Sequence, residues 1–545
     1  MLGLPHHLSV HPGGVVIAPG PIVDFLPVTR SGGKGIIITQ FDLDDVEQVG
    51  LVKLDLLGIR GLTVIGDVAE SIFSWRRKEF RTPYEILEVV PQQDPETSAI
   101  ISNGRTIGCF QIESPGMRAT LKDVQARSPN DLMAALALYR PGPLKGGLRD
   151  AFVRRFKHEE EVAHIHPALS GLLQETYGVI LYQEQVLRIA HELAGLSLAE
   201  ADLLRRAMSH FDPGKQMQVL KEKFIEGAEQ RKNIPPEMGL RIWDMMAAFA
   251  GYGFPKAHAA SYAQVAWQSA WCKAHYPAEF IAAVLANWGG YYPQSVYLNE
   301  ARRLNINVFS PHVNHSRPQF SVSYPLGEPV LYMGLDQVRD LTHRTQAMIL
   351  RYRPFHTLTE FIMKVDPRKT EIENLVKIGA FEGLGRIPDL LMGIENGLTK
   401  PGQLSLFPPE LSVKEDWSLE EKIKAQQHIL NASLAGHPLE LLLPQIQEAG
   451  AISTIDAAAR MGETVRVVGL RQTLFRSLTA QNEWMGFLTL EDLEGMIDIV
   501  IFPDLYRKVK NILSSSSIPI LIEGTIERDA NTGEPILTAQ KVSRM

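Results

Sequence analysis

Cysteine is scarce in this chain. Two residues among 545, Cys109 and Cys272, cannot build a disulfide framework or a cysteine-rich zinc site, and they suit a reducing cytoplasm. No run of about 20 apolar residues occurs, so nothing is expected to span a membrane. The first residues, Met1 to His7, lack a basic stretch followed by an apolar core, so no secretory signal is visible. Neither sign of charge dominates. The 55 Lys and Arg against 62 Asp and Glu leave a net −7, so a polyanionic partner would have to be met by a local patch. Hydrophobic residues at 45% and charged ones at 21% exclude a mainly disordered chain and a collagen. The length suggests about three or four domains.

The periodicity changes along the chain. Val15–Ile17, Gly35–Thr39 and Leu51–Leu57 are short β-rich runs between Gly, Pro and Asp. His11-Pro-Gly-Gly-Val-Val-Ile17 reads as a turn feeding a buried strand, and the chain reads as beginning inside a fold. From about Gly61 to Gly290 the period is helical, with amphipathic stretches at Tyr182–Leu193 and Ala259–Trp271. Val308 to Leu398 mixes short strands and helices. Lys400 to Pro409 reads as a loop, and a charged helix follows over Leu419–Ile429. From Val465 to Val542 five short period-two runs predict a small barrel of the oligonucleotide-binding type.

Several residues could carry chemistry. Asp55 lies in an apolar run, where a lone carboxylate is expensive unless paired. A divalent metal is one partner and Lys53 is another, since both side chains leave a strand on the same face. From these residues alone an ordinary ion pair is the favoured reading. Asp42 and Asp44 also share a strand face, but Phe41–Glu47 reads better as a solvated turn with an Asp at a helix N-cap. Between residues 140 and 157 six Lys or Arg, beginning at Arg140, stand against one Asp. Such a stretch suits a phosphate backbone or a solvated face equally. Arg205 and Arg206 could clamp a triphosphate or make surface salt bridges. Gly251-Tyr-Gly-Phe-Pro-Lys-Ala-His258 lacks P-loop spacing; its Lys256 and His258 point to base and phosphate contact, or simply to a helix-start turn. Gln403-Leu-Ser-Leu-Phe407, flanked by Pro and Gly, reads as a docking peptide.

Longer motifs follow one another in order: His11-Pro-Gly-Gly-Val-Val-Ile-Ala-Pro19, Gln40-Phe-Asp42, Gly50-Leu-Val-Lys-Leu-Asp-Leu-Leu-Gly58 and Gly108-Cys-Phe-Gln-Ile-Glu-Ser114. Ala137-Leu-Tyr-Arg-Pro-Gly-Pro-Leu144, Tyr177–Val186, Ala201–Met208, Gly251–Phe254, Lys273–Phe280, Gly379–Phe381 and Gly436–Leu439 continue the series. With these motifs the chain resembles the bacterial DNA polymerase III alpha subunits, the C-family polymerases, including their error-prone relatives. The resemblance implies a multidomain α/β and α fold. A β-rich palm remnant over 1–60 would carry the third catalytic aspartate, and helical fingers would fill 61–325. A helix-hairpin-helix-like region would occupy 326–399, a clamp-binding segment with a helical linker 400–455, and an oligonucleotide-binding barrel 456–545.

By the same resemblance, Asp55 falls on a metal-binding catalytic aspartate and Lys53 on its companion lysine. Arg205 and Arg206 fall on finger arginines that contact the triphosphate, with Arg140, Lys256 and His258 as further nucleotide-binding candidates. Gln403, Leu404, Leu406 and Phe407 look like the sliding-clamp motif. The implied cofactor is a Mg²⁺ pair. The implied partners are primer-template and single-stranded DNA, deoxynucleoside triphosphates, the clamp, and a separate chain supplying the rest of the palm. The family's Pro-Asp-x-Asp motif and phosphoesterase-like domain are not found in this sequence. Pro255 stands where Asn is usual, and Val338–His343 replaces a glycine-bearing DNA-binding hairpin. The leading expectation is therefore template-directed DNA synthesis by an incomplete or split chain. The alternative is a non-catalytic accessory that binds clamp and single strands.

Overall fold

The structure is a computed structural model. It describes residues 10–11, 13–31, 35–139, 148–209, 215–249, 253–395, 415–479, 481–514, 518–529 and 534–545. Arg140 and Gln403–Phe407 lie outside the described residues, as do the side chains of Arg205 and Arg206. The chain divides into two compact units, Met1–Leu62 and Thr63–Met545.

In the first unit, β1 (Gly14–Ile17) pairs antiparallel with β4 (Val52–Asp55), and β2 (Val28–Arg30) pairs with β3 (Ile37–Thr39). The two glycines before Val15 are needed by this pairing. A Cβ on Gly13 would sit 2.2 Å from the Leu56 carbonyl oxygen. The Leu56 N–H bonds the Gly13 carbonyl at 2.8 Å. Leu26, Val46 and Leu51 are the buried apolar residues of this unit. The strand expected to be buried is not: Val15 and Ile17 are exposed, as are Val52 and Leu54 opposite them. A two-stranded ladder covers only one of its faces, here the one carrying Val16.

The second unit begins with helices, as the 3.6-residue period predicts. In Gln183–Ala194, Val186, Ile189, Ala190 and Leu193 are buried on one stripe. The Gln185 amide oxygen accepts from the N–H groups of Leu181 and Tyr182 at 2.8 and 3.0 Å, and Gly195 ends the helix in the left-handed region. The long helix Lys256–His275 is buried from Ala259 to Lys273 at eight positions around its circumference. The amphipathic face expected over Ala259–Trp271 is therefore not a single stripe, because neighbours cover the helix on more than one side. Both cysteines are free and buried in this core, and burial pushes the Cys109 thiol up to about 12.

Three short strands follow. β5 (Asn307–Phe309) lies parallel to β7 (Val330–Tyr332), and β6 (Ser321–Ser323) pairs with β7 antiparallel. The charged helix near residue 420 spans Leu419–Leu430, capped by Ser418 and Glu421.

The terminal barrel closes in the order β10-β12-β11-β8-β9. Its strands are β8 (Thr464–Leu478), β9 (Trp484–Glu491), β10 (Met496–Ile501), β11 (Ile520–Arg528) and β12 (Pro535–Arg544). All five expected strands are present. β8 runs further than expected and continues with β9 into a hairpin that carries exposed Phe475, Leu478 and Trp484. Val467, Leu490, Ile499, Ile522 and Leu537 fill the interior in alternation.

Candidate functional sites

Asp55 ends β4 opposite Gly14, and its carboxylate stands between the Lys53 and His11 side chains. Lys53, two residues back on the same face, donates to it, and His11 Nδ1 lies 3.7 Å away. The Lys53 hydrogen bond holds the Asp55 carboxyl below its usual value. The expected cost of burying this carboxylate does not arise, because half of the side chain is open to solvent. Gly14 opposite leaves the room: a Cβ there would lie 2.9 Å from His11 Nδ1 and 3.2 Å from Lys53 Cε. Asp42 and Asp44 take the other path. Asp42 caps the helix Leu43–Gln48 by accepting from Asp45 N–H at 3.1 Å. Among the described residues no group of three or more His, Cys, Asp and Glu gathers that could hold a metal. Among the described residues nothing therefore fits a two-metal site.

In the helical region, Arg205 and Arg206 lie on the helix Leu198–Ser209. Lys256 and His258 open the helix Lys256–His275. The helix start has Pro255 at the N-cap, which has no capping side chain. The Glu184 carboxylate replaces it, accepting from the Lys256 N–H at 2.8 and 3.0 Å. The Lys256 ammonium binds Glu175 at 2.7 Å and sits 5.6 Å from the Tyr182 ring centre. His258 packs edge-on to Phe254 at 5.3 Å and lies 4.0 Å from Tyr262. A cavity of about 300 Å³ opens beside Lys256, lined by Asn130, Phe152, Phe156, Tyr177 and Tyr182 among others. Lys256 and His258 thus lie in the first turn of a helix, with their side chains against Glu175, Phe254 and Tyr262.

Three of the described residues of the basic stretch are paired with carboxylates. Arg149 is buried and pairs with Asp123 and Asp150, while Arg154 and Arg155 share Glu160 at 2.8 Å each. Val338–His343 has no glycine but does contain a left-handed position. Asp340 adopts φ 63°, the left-handed region that glycine tolerates best. Its side chain is exposed. Thr342 then caps the helix His343–Tyr352.

A buried ionic network is absent from the sequence reading. The Lys273 side chain is fully buried and donates to the carbonyls of Arg105 and Ile107 at 2.9 Å and to Glu300 at 2.7 Å. Glu300 meets Arg303, and Arg303 binds the buried Glu491 of β9 at 2.7 Å. Asn299 and Gln472 also donate to Glu491, at 2.9 and 2.7 Å. Nearby, Glu113 accepts from Gly108 N–H, Tyr291 N–H and the Tyr297 hydroxyl. Charges inside apolar motifs, such as Lys273 and Glu113, were the available signal. Their partners are up to roughly two hundred residues distant in sequence.

A mainly helical region, three short strands with the helices that follow them, and a closed five-stranded barrel define a modular α/β protein, and comparison with known proteins places it further. Residues 61–232 match the bacterial DNA polymerase III alpha subunit finger domain. Residues 1–58 match the bacterial DNA polymerase III alpha NTPase domain, and residues 305–387 match a helix-hairpin-helix motif. The DNA polymerase III subunit alpha of Thermus aquaticus is 34% identical over 96% of this chain and 44% of its own length. That of Pseudomonas fluorescens is 33% identical over 100% and 50%, and that of Escherichia coli K12 32% over 99% and 49%. The chain is a relative of the bacterial DNA polymerase III alpha subunits along nearly its whole length. It spans about half the length of the curated relatives it matches. Asp55 and Lys53 fall in the 1–58 match, and Arg140, Arg205 and Arg206 in the finger match.

Proposed function

We propose that this chain supplies the fingers, the barrel and one edge of the palm to template-directed DNA synthesis. The observation that carries the reading is the ordered similarity over 96–100% of the chain to proteins named for that activity. In this reading Asp55 is a ligand for one divalent ion, which when bound would neutralise charge on the reacting phosphate. Lys53 and His11 hold the carboxylate ionised and oriented. Arg205, Arg206, Arg140, Lys256 and His258 would meet the incoming nucleotide. Lys256 must first exchange Glu175 for a phosphate, which its half-exposed ammonium can do.

The barrel would track single strands, with Arg476 stacked 4.8 Å over exposed Trp484 on its long hairpin. Gln403, Leu404, Leu406 and Phe407 would dock on a sliding clamp as an extended peptide. Because Asp55 alone does not hold two ions, a further chain segment, on this or a separate polypeptide, would bring the remaining carboxylates. A non-catalytic clamp- and strand-binding accessory is the second reading, favoured by the pairing of Asp55 with Lys53 and His11.

One pair of assays tests both readings. The 545-residue chain should shift labelled single-stranded DNA at low salt, more weakly as salt rises. It should give no primer extension with Mg²⁺ and nucleotides. Extension abolished by Asp55→Ala would mean that this span holds a complete palm. Failure to bind any strand would end both readings.

A further inference from the structure

Three polar residues in a row, Gln183, Glu184 and Gln185, all use their side chains to hold other parts of the fold. Gln185 turns inward: its amide oxygen accepts from Leu181 and Tyr182, and its Nε2 donates to the Thr176 hydroxyl at 2.7 Å. Gln183 and Glu184 reach across to a segment 70 residues on. The Gln183 N–H donates to the Phe254 carbonyl at 3.0 Å, and its Nε2 donates to the Gly253 carbonyl at 3.0 Å. The Phe254 N–H returns a bond to the Leu181 carbonyl at 3.4 Å. Glu184 completes the set at the Lys256 N–H.

The helix Lys256–His275 needs that last bond. Its first N–H groups have no partner within the helix, and Pro255 brings no side chain that could cap them. A carboxylate is also the favoured group at the positive end of a helix dipole. Lys256 is thus held at two points by two carboxylates, its backbone by Glu184 and its ammonium by Glu175. The two grips differ in kind. Glu184 is half-buried and bound to a main-chain group, whereas Glu175 is exposed and bound to a side chain that can rotate away. Lys256 and Glu175 both line the cavity of about 300 Å³, which gives the ammonium room to turn.

Charge alone makes both carboxylates unfavourable to a phosphate ligand, since each lowers the local positive potential. The geometry separates them. Removing Glu175 only frees a cation. Removing Glu184 leaves the Lys256 N–H without its acceptor and the helix start without its anchor. The Lys256 ammonium and the His258 ring two residues later then lose their fixed places. A shift of about 1 Å in a contacting group is enough to weaken its action severely.

We propose that Glu184, helped by Gln183, is a positioning residue for nucleotide binding. It fixes the helix start from which Lys256 and His258 reach a triphosphate, while Glu175 is a stand-in that the phosphate displaces. Glu184 itself does not touch the nucleotide. The proposal rests on the reading of Lys256 and His258 as nucleotide contacts.

The test measures binding of radiolabelled dATP to the full chain at low salt by equilibrium dialysis, with hydrogen exchange followed over residues 253–262. Glu184→Ala should speed exchange in that segment and weaken dATP binding at least about fivefold. Glu184→Gln removes the charge but keeps an acceptor, so both readouts should stay near those of the unsubstituted chain. Glu175→Gln should act the other way, tightening binding up to about fivefold with exchange at the helix start unchanged. Where Glu184→Ala does not fold, Glu184→Asp takes its place, because it keeps the charge and withdraws the acceptor by one methylene; the expected directions are the same. Unchanged or tighter binding in the Ala or Asp variant would overturn the positioning role and leave the nucleotide reading intact, as would a loss in Glu184→Gln as large as in Glu184→Ala. No dATP binding by the unsubstituted chain would overturn the nucleotide reading of Lys256 and His258, and the positioning role with it.

Discussion

The chain builds β structure twice from similar material, with opposite results. β1 and β4 are rich in Val, Ile and Leu, yet Val15, Ile17, Val52 and Leu54 stay exposed on one face of a two-stranded ladder. The barrel strands have the same kind of residues, and closure buries Val467, Leu490, Ile499 and Ile522 almost completely. β propensity is therefore equal in the two places; what differs is whether a second layer or a closing strand covers the side chains. The candidate chemistry divides the same way. Asp55 sits in the open ladder, where solvent moderates its pairing, while Glu491 sits in the closed region, where its partners must be exact in position.

The largest effect expected from breaking this comparison is at Arg303. Arg303→Ala leaves Glu491 buried without its cation, and losing one partner of a buried pair costs about 3–5 kcal/mol. Burial already holds the Glu491 carboxyl above its usual value despite Arg303. The folded state thus keeps that proton more tightly than the unfolded chain. The loss in the variant should deepen as pH rises from the ordinary carboxylate range through the raised value. Urea unfolding at several pH values checks this, and a flat dependence would show that Glu491 is not the group left unpaired.

A smaller and more direct comparison sets Ile522→Ala against Ile17→Ala. The first removes a fully buried barrel side chain and should cost about 2–5 kcal/mol. The second removes a half-exposed one and should stay within about 0.5 kcal/mol. Equal losses in thermal melting would mean that the β1–β4 face is covered in solution.

The smallest effect concerns Asp55. Its carboxyl, lowered mainly by the Lys53 hydrogen bond, should titrate below the usual aspartate value by carboxyl-carbon NMR. The pairing is present above the ordinary carboxylate pKa and is lost as pH falls through the lowered one. Lys53→Met should move the titration back upward. An unchanged midpoint would remove Lys53 as the cause.

Much of this was legible in the chain, and the failures have identifiable causes. The strand positions of 465–542 and the helix Gln183–Ala194 follow from period alone, because one face of each is buried and the other is not. Asp42 as a cap and Lys53 beside Asp55 follow from local geometry within three residues. The exposed face of β1 did not follow, since a short apolar run looks the same whether or not something packs on it. Nor did the burial of Arg149 within the basic stretch, because its partner Asp123 lies in another helix.

The sequence by itself determined the kind of many elements and the short-range pairings, because these depend on side-chain period and on neighbours a few residues apart. Only the tertiary structure decided which charges meet across long separations, as Lys273 meets Glu300 and Arg303 meets Glu491, and which rings align, as Phe309 and His315 do on Tyr332. Those contacts depend on how separate elements pack, and no local periodicity encodes the partner that packing brings.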